Sequence, residues 1–405
     1  MKIGVVGLGY IGSVTAAVLA SARNKVVGIE IDKTRLDSFK SGEPPIYEPG
    51  LKEILSKNKK NIKFSSDFSE LDGSDVVFLT VPTPTVNGKI DLQYIFSAAE
   101  SVQKAVTDAV VVIKSTVVPG TAKEVHKRTG LTIVSNPEFT REGTAIEDTR
   151  RPNRVIIGAT DKKAVDIVDR VWAFTKAPVI KTTNENAEMI KYASNAFLAT
   201  KISFINEIAN LCERIPGCDV EVIAKGMGLD QRIAPYFLKA GIGFGGSCFP
   251  KDTAALASFA RENGETMSII ESAIKVNDER LERVLKLLKE GAGGSLVHKK
   301  VGILGVTFKE NTDDVRGSQI VKLIKMLRAE TATVGFYDPK AKIELDGVYR
   351  FPTKERCVED SDIVLVATEW PEFKNLKITN KPVVDAKRIL NPRNFKSFKA
   401  VGLYT

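Results

Sequence analysis

Short apolar runs of strand length recur along the chain and alternate with segments of helical character. Residues 2–6 form the first run, and the apolar segment after them reaches Ala22 and is typical of a helix. Residues 25–29, 76–81 and 109–113 are further runs of the same kind. Apolar runs of this length between helices predict strands buried in a parallel sheet. An α/β fold is therefore expected.

The pattern of the first part returns after a glycine-rich linker at residues 291–295. Residues 300–305, 332–338 and 361–368 resemble residues 2–7, 25–30 and 74–81 in turn. These similarities predict a second parallel sheet of the same kind as the first. Residues 187–215, which lack glycine and proline, predict one long helix between the two sheets. The domains expected are 1–186, 187–294 and 295–405.

Composition narrows the class of protein. The chain has 405 residues, 43% of them hydrophobic, which suffices for two or three domains. No apolar run is long enough to span a bilayer, and a strand at the N-terminus leaves no room for a signal peptide, so a cytoplasmic location is expected. The net charge of +9 is interleaved with acids, which favours small phosphorylated ligands over nucleic acid. Four cysteines, none in a C-x-x-C, and two histidines argue against a disulfide framework and a metal site.

The first strand is followed by Gly7-Leu8-Gly9-Tyr10-Ile11-Gly12 and then by a helix. This G-x-G-x-x-G context predicts a dinucleotide pyrophosphate at the helix N-terminus. The second strand ends at Glu30, an acid suited to bind the ribose hydroxyls, which favours NAD over NADP. Arg35 is a further candidate to line the adenosine pocket.

Polar residues also follow later strands. Glu138 comes after the run at 131–134 and is a candidate base, with a solvated loop acid as the alternative. Lys191 and Asn195 share one face of the long helix and are suited to stabilise an oxyanion, although a solvated stripe is equally compatible with this helix.

Four glycines lie within residues 241–246, directly before Cys248. The run after Pro250 is alanine-rich, so Cys248 is expected near a helix N-terminus, where a thiolate is favoured. Asp252 lies one turn later. A glycine-rich turn with a buried cysteine is the alternative. A nucleophilic cysteine beside a dinucleotide domain indicates oxidation of an alcohol beyond the aldehyde, through a thioester, to an acid.

Taken together, these motifs resemble the UDP-glucose/GDP-mannose dehydrogenase family. The resemblance rests on residues 7–12, 114–116, 135–143, the Lys191/Asn195 helix, 243–252 and 308–316, and it runs nearly end to end. It implies two Rossmann-like doubly wound parallel sheets joined by a long central helix and a helical dimerisation region. It also implies NAD as cofactor, a nucleotide-sugar substrate (UDP-glucose, or GDP-mannose as the alternative) and at least a homodimer.

The resemblance further implies a role for each matching residue. The catalytic set would be Cys248 as thiol nucleophile, Lys191 and Asn195 for the oxyanion, Asp252 to orient water and lysine, Glu138 for proton transfer and hydrolysis, and Thr116 to hold water. NAD would be contacted by Gly7, Gly9, Tyr10, Ile11, Gly12, Glu30, Arg35, Val81, Pro82, Thr83, Ser115, Thr116, Glu142 and Arg316. The sugar nucleotide would be contacted by Glu138, Phe139, Thr140, Lys191, Asn195, Phe237, Leu238, Lys239, Phe244, Gly245, Phe249, Phe308 and Lys309, with Arg232 reaching the neighbouring subunit's site.

Some positions depart from the family pattern. Thr140 stands where leucine is usual, and Lys387 stands where arginine is usual, which leaves Arg388 as an alternative substrate contact. Two other functions are compatible with a dinucleotide-binding domain: a two-electron hydroxyacid dehydrogenase of the 6-phosphogluconate type, which would not need Cys248, and an NAD-sensing protein without turnover.

Overall fold

A computed structural model of the chain describes residues 1–86 and 88–404. The chain divides into two compact units, Met1–Ser194 and Asn195–Thr405. The first predicted domain boundary, after residue 186, lies inside helix α8 (Asn184–Cys212). The division into three domains therefore stays a prediction.

The first unit contains an eight-stranded sheet. Its strands are β1 (Lys2–Val6), β2 (Lys25–Ile29), β3 (Ile62–Ser65), β4 (Val76–Leu79), β7 (Val110–Ile113), β8 (Ile133–Ser135), β9 (Val155–Gly158) and β10 (Val179–Thr182). The order is β10-β9-β8-β7-β4-β1-β2-β3, and β5 (Thr85–Val86) and β6 (Lys89–Ile90) form a separate hairpin. All neighbours in the large sheet are parallel except β8 and β9, which pair antiparallel. The strand order reverses at β1: β2 and β3 lie on one side of it, and β4 and the later strands lie on the other. Sheets of this kind bind ligands at such a reversal point.

Helices cover both faces of this sheet. They are α1 (Tyr10–Ser21), α2 (Lys33–Ser41), α3 (Leu51–Lys57), α4 (Gln93–Ala105), α5 (Thr121–Thr129), α6 (Ala145–Arg150) and α7 (Lys162–Trp172). Because side chains alternate along a strand, Ile3 and Val5 of β1 pack into one apolar core and Val6 packs into the other. Strands buried on both faces explain the continuous apolar runs in the sequence.

The second unit repeats this architecture with a six-stranded, wholly parallel sheet. Its strands are β11 (Lys300–Leu304), β12 (Thr333–Tyr337), β13 (Tyr349–Arg350), β14 (Ile363–Val366), β15 (Val383–Asp385) and β16 (Phe398–Ala400), in the order β13-β12-β11-β14-β15-β16. The helices are α9 (Val220–Gly228), α10 (Phe249–Glu262), α11 (Ser268–Gly291), α12 (Gln319–Ala329) and α13 (Lys354–Glu359). The two predicted Rossmann-like sheets are confirmed.

Helix α8 is the predicted long helix, and it has 29 residues. It ends at Cys212, whereas the sequence pattern predicted an end at Ile215. Pro216 accounts for the difference, because proline disfavours helical geometry in the residue before it. No helix within residues 1–86 and 88–404 combines the length and the apolar character needed to cross a membrane.

Candidate active site

The glycine turn after β1 has the shape required to hold a pyrophosphate. Gly7 has φ +89°, which favours glycine. A Cβ at Gly12 would lie 1.9 Å from the Gly7 carbonyl oxygen, so only glycine allows α1 to pack this closely. A Cβ at Gly9 would meet no heavy atom within 4 Å, so the backbone there is open to a ligand. Gly9 is also the N-cap of α1, where N–H groups attract phosphate.

Glu30 lies beside this turn, as its spacing predicted. Its carboxylate accepts hydrogen bonds from the backbone N–H groups of Leu8, at 3.1 Å, and Asp32, at 3.0 Å. These bonds fix an anionic group next to the glycine turn, where it would meet ribose hydroxyls. Arg35 is exposed in the first turn of α2. The residues present therefore fit a dinucleotide with an unmodified ribose.

Tyr10 has a further contact that its place in the glycine motif did not predict. Its hydroxyl contacts the Glu48 carboxylate, and the Gly143 N–H donates to both groups, at 2.8 and 2.7 Å. Burial and Glu48 raise the pKa of Tyr10. This network ties the glycine turn to the segment that carries Glu142. Glu48 is buried and was missed at the sequence level, where it is one acid in a loop.

The loops that follow β4 and β7 are joined by hydrogen bonds. Ser115 Oγ donates to the Val81 carbonyl at 2.7 Å, and Thr83 Oγ1 donates to the Thr116 carbonyl at 2.9 Å. Pro82, between the two bonded positions, is exposed. The predicted cofactor residues of both loops therefore lie together at the carboxyl edge of the sheet, beside β1.

Glu138 and Lys191 form a buried ion pair. Lys191 Nζ lies 3.0 Å from Glu138 Oε1, and both residues are less than 10% exposed. The backbone N–H and hydroxyl of Thr140 donate to Glu138 Oε2, each at 2.6 Å. Burial raises the pKa of Glu138, but the charge of Lys191 and these hydrogen bonds outweigh burial and hold it below its ordinary value. Neither residue is a solvated surface group, so that alternative is wrong.

Two cations lie over the aromatic ring of Phe139. The guanidinium of Arg154 is 3.9 Å from the centre of this ring, and Lys191 Nζ is 5.4 Å from it. Arg154 also donates to Ser194 Oγ at 3.2 Å. This packing fixes the segment that carries Glu138 against α8 within the first unit.

Lys114 is a second buried lysine near Glu138, and sequence reasoning missed its importance. Its Nζ lies 4.6 Å from the centre of the Trp172 ring and 3.5 Å from Asn136 Oδ1. Burial lowers the pKa of Lys114 to about 8, with Glu138 acting to raise it and Lys191 to lower it. Two buried lysines therefore interact electrostatically with one carboxylate, that of Glu138. The only signal in the sequence was a lysine directly after an apolar strand.

Glu188 was also missed, although it lies one turn before Lys191 on α8. Its carboxylate accepts from the Gly120 N–H at 2.7 Å, the Ala122 N–H at 3.0 Å and Ser135 Oγ at 3.0 Å. Burial raises the pKa of Glu188 to about 7, against the effect of these hydrogen bonds. Together with Thr116 and Lys191 it lines a cavity of about 10 Å³. A space of this size holds about one water molecule.

Cys248 is exposed and is the N-cap residue of α10. The exposed position contradicts the alternative of a buried structural cysteine, and the N-cap position favours a thiolate. Ser247 Oγ lies 3.7 Å from its Sγ. One turn later, Asp252 is 1% exposed and accepts a hydrogen bond from Asn195 Nδ2 at 2.6 Å. Lys251 Nζ lies 2.6 Å from the other carboxylate oxygen of Asp252.

Buried side chains hold the start and the middle of the glycine loop before Cys248. The Gly241 N–H donates to Asn206 Oδ1 at 2.9 Å, and Arg280 Nε donates to the Gly241 carbonyl at 2.6 Å. Asn277 accepts from the Phe244 N–H at 2.6 Å and donates to the Phe244 carbonyl at 3.1 Å. Helices α8 and α11 thus fix a loop whose glycines would otherwise leave it mobile. These contacts are long-range, so no local sequence pattern predicted them.

Three predicted substrate residues form an aromatic cluster. The Phe249 ring centre lies 6.0 Å from that of Phe237 and 6.1 Å from that of Phe244. Phe237 has φ +63°, a strained conformation for this residue and one that is enriched at functional sites. Leu238, the next residue, is buried. A Cβ added at Gly245 would lie 2.5 Å from the Gly317 carbonyl oxygen, so a larger residue does not fit there.

Lys387 and Arg388 have different partners in the structure. Lys387 Nζ lies 3.8 Å from Glu369, which also contacts the predicted substrate residue Lys239. Arg388 instead donates to both carboxylate oxygens of Asp219, at 2.9 Å each, with its side chain only 8% exposed. Lys387 therefore lies with the predicted substrate residues, whereas Arg388 is used in an internal ion pair, and the suggestion that Arg388 substitutes for Lys387 is not supported.

Three further predicted residues lie in the second unit. Arg232 pairs with Asp230 at 2.6 Å while its side chain is 89% exposed. Arg316 pairs with Asp314 at 2.7 Å. Lys309 Nζ lies 5.8 Å from the centre of the Phe308 ring. Among the residues that the structure describes, no group of histidine, cysteine and acidic side chains could hold a metal ion.

Comparison with known proteins places the chain among nucleotide-sugar dehydrogenases. Residues 1–176 match the NAD binding domain of the UDP-glucose/GDP-mannose dehydrogenase family, residues 185–279 match its central domain, and residues 302–392 match its UDP binding domain. The UDP-glucose 6-dehydrogenase TuaD of Bacillus subtilis is 43% identical over 98% of this chain and 90% of that protein.

Solved structures agree with this result. A UDP-glucose dehydrogenase from the hyperthermophilic archaeon Pyrobaculum islandicum superposes with a TM-score of 0.94 at 36% identity, covering 99% of this chain and 98% of that chain. A UDP-D-ManNAc dehydrogenase from Pyrococcus horikoshii gives 0.87 at 30% identity, with 99% of each chain covered.

Proposed function

Because the chain belongs to the UDP-glucose/GDP-mannose dehydrogenase family and is an NAD-dependent dehydrogenase, we propose that it oxidises the C6 hydroxymethyl group of UDP-glucose to the carboxylate of UDP-glucuronate. The names of its relatives support this sugar nucleotide. The main evidence for a four-electron oxidation is the position of Cys248. It is exposed at a helix N-terminus, one turn before Asp252, which is paired with Asn195 in a buried hydrogen bond.

NAD, when bound, accepts the hydride of each oxidation, and the glycine turn and Glu30 are the groups that would hold it. The Cys248 thiolate adds to the C6 aldehyde and later leaves as water hydrolyses the thioester. Lys191 and Asn195 stabilise the oxyanion by hydrogen bonding, which typically accounts for 10²–10³-fold in rate. Asp252 orients Asn195 and Lys251, as its hydrogen bonds indicate.

Glu138 handles the protons. Because Lys191 and Thr140 lower its pKa, it is ionised near neutral pH and can accept a proton from the alcohol or from the attacking water. The cavity beside Thr116 has room for about one water molecule, which supports the role of Thr116 in holding the hydrolytic water. Lys114 adds positive charge near the same carboxylate.

The sugar nucleotide would be held by the residues of the second unit that carry aromatic and cationic side chains. Phe237, Phe244 and Phe249 offer ring faces and edges. Lys239 and Lys387 share Glu369 as counter-ion and offer charge for the diphosphate.

A homodimer is part of the proposal. Phe197, Phe204 and Leu211 recur every seven residues on α8, and each is about half exposed or more, at 65%, 46% and 56%. Apolar residues at this spacing form a stripe along one side of a helix, which is typical of a helix–helix interface. The exposed Arg232 would reach the site of the partner subunit.

The first prediction concerns stoichiometry. Limiting amounts of UDP-glucose, GDP-mannose and UDP-N-acetylmannosamine are incubated with excess NAD, and NADH is followed by absorbance. UDP-glucose should give two NADH per sugar nucleotide, since each oxidation removes one hydride. Release of one NADH with accumulation of the aldehyde would contradict the role of Cys248, and preference for another sugar nucleotide would contradict the substrate.

A further inference from the structure

Two cysteines outside the proposed catalytic machinery lie together where α8 meets α9. Cys212 is the last residue of α8, and Cys218 directly precedes Asp219, the N-cap of α9. Their Sγ atoms are 2.6 Å apart. The other two cysteines lie elsewhere: Cys248 is exposed on its glycine loop, and Cys357 is buried with its thiol directed at the Ile303 carbonyl.

The backbone between these two cysteines is already folded into a fixed turn. The Ile215 N–H donates to the Cys212 carbonyl at 3.2 Å, and the Cys218 N–H donates to the Ile215 carbonyl at 3.0 Å. The Tyr404 N–H donates to the Cys218 carbonyl at 3.3 Å. Two sulfur atoms brought this close by an ordered backbone are well placed to form a disulfide bond, whose S–S length is about 2.05 Å.

We propose that Cys212 and Cys218 form an intrachain disulfide that fastens the end of α8 to the start of α9. The two thiols lose two electrons and two protons to a low-molecular-weight disulfide such as oxidised glutathione, which is reduced to two thiols. The thiolate of one cysteine attacks the glutathione disulfide, and the other cysteine then displaces glutathione and closes the bond.

Exposure decides which cysteine reacts first. Cys218 is partly exposed, whereas Cys212 is 1% exposed. Burial raises the pKa of Cys212 to about 12, and the Cys218 thiol beside it acts in the same direction. Cys218 is therefore the thiol that meets the oxidant, and Cys212 closes the bond from inside.

The cross-link would strengthen a junction where three parts of the second unit meet. Arg388 reaches Asp219, and Arg283 Nη2 reaches Glu213 at 2.9 Å. Glu213 also accepts from the Gly402 N–H at 3.0 Å. A covalent bond between Cys212 and Cys218 holds α8 and α9 together here even when these polar contacts open, and it does not involve Cys248.

Peptide mapping tests the bond directly. The full-length protein is incubated with oxidised glutathione, denatured, alkylated and digested with trypsin without reduction. Arg214 lies between the two cysteines, so trypsin separates them unless a disulfide joins their peptides. We expect one linked pair of peptides, with Cys357 alkylated. Recovery of Cys212 and Cys218 as separate alkylated peptides, or of Cys218 as a lasting glutathione adduct, would overturn the proposal.

Thermal melting tests the structural effect. A Cys248→Ser background removes the exposed thiol from the experiment. The oxidised protein should melt roughly 5–10 °C above the reduced protein, as expected for a short closed loop in a unit of this size. Cys218→Ala should abolish the difference, and the control Cys357→Ala should retain it. A linked protein with the same melting temperature as the reduced one would refute the stabilising role.

Discussion

At the scale of single residues, the proposed chemistry depends on burial as much as on residue type. Cys248 is exposed at a helix N-terminus, where a nucleophile is accessible. Glu138 and Lys191 are buried as a pair, where their charges interact strongly. The same residue types on a solvated surface would have ordinary pKa values and little catalytic effect.

Substitution of the proposed nucleophile separates binding from chemistry. Cys248→Ser keeps the size of the side chain but replaces a thiol by a hydroxyl that ionises far less readily. NAD and UDP-glucose should still bind, as measured by calorimetry, while turnover falls by several orders of magnitude. Acid trapping of wild-type turnover should give a sugar-nucleotide adduct on the Cys248 peptide by mass spectrometry. Near-normal formation of the acid by the serine variant would show that Cys248 is not the nucleophile.

Replacing Lys114 by methionine should give a variant that is more stable but less active. A lysine whose pKa falls to about 8 on folding destabilises the folded state below pH 8, because its charge is then buried. This cost disappears as the pH rises from about 8 to the ordinary lysine value. Lys114→Met should therefore raise the free energy of unfolding at pH 7 by on the order of 3 kcal/mol, and the gain should vanish towards pH 10.5.

Turnover by Lys114→Met should fall, because a positive charge that interacts with Glu138 is removed. The exposed Lys123→Met on α5 is the matched control and should change neither quantity. Denaturant unfolding at several pH values and steady-state rates provide the two measurements. A loss of stability at pH 7 would show that the buried charge is better compensated than its neighbours indicate.

At the scale of elements, helices serve as supports for loops. The N-terminus of α1 faces the glycine turn, and that of α10 carries Cys248. Helix α11 packs against the glycine loop that precedes Cys248 and supplies Asn277 and Arg280. A glycine-rich loop is mobile in isolation, so its geometry depends on these neighbours.

Asn277→Ala tests this support. The change leaves the Phe244 N–H and carbonyl without their buried partner, which should cost on the order of 2 kcal/mol of stability. The loop would then sample other conformations, so turnover should fall about 10-fold or more, as expected when catalytic groups are misplaced. The rate of Cys248 alkylation by iodoacetamide should also change. Glu282→Ala, an exposed change on the same helix, is the control. Unchanged alkylation and turnover would show that Asn277 is merely structural.

At the scale of the whole molecule, the two units share an architecture but differ in the turn after their first strand. In each unit the first strand of the sheet lies between two parallel neighbours and is followed by a turn at a glycine with positive φ, Gly7 or Gly305. Only the first continues as G-x-G-x-x-G. In the second unit the Asp338 carboxylate accepts from the Val306 and Thr307 N–H groups, at 2.8 and 3.1 Å.

Assembly is tested by complementation between inactive subunits. Arg232→Ala and Cys248→Ser should each be inactive as homodimers. Coexpression should restore about a quarter of wild-type activity, because half of the dimers are mixed and each mixed dimer holds one site with both residues intact. Phe204→Asp should yield monomers, as measured by light scattering, and these monomers should be inactive in the NADH assay. Absence of complementation in mixed dimers isolated by two different tags would contradict a shared site.

The sequence alone determined the periodic structure and the chemistry of its motifs. Apolar runs predicted both sheets because strands buried on two faces consist mostly of apolar residues. The glycines of the first turn and the offset of Glu30 indicated a dinucleotide because these constraints act over a few residues. The run without glycine or proline predicted α8 over residues 187–215, whereas the helix begins at Asn184 and ends at Cys212.

The tertiary structure decided which charged groups are buried and which distant groups meet. Lys114 and Glu188 resemble ordinary polar residues in the sequence, and only packing shows that both lie near Lys191. Asn277 holds a loop 33 residues away, and Arg388 pairs with Asp219 across 169 residues. The Cys212–Cys218 contact depends on the turn after α8, so the absence of a C-x-x-C did not exclude it. Local patterns specify local geometry, whereas contacts between distant segments depend on how the whole chain packs.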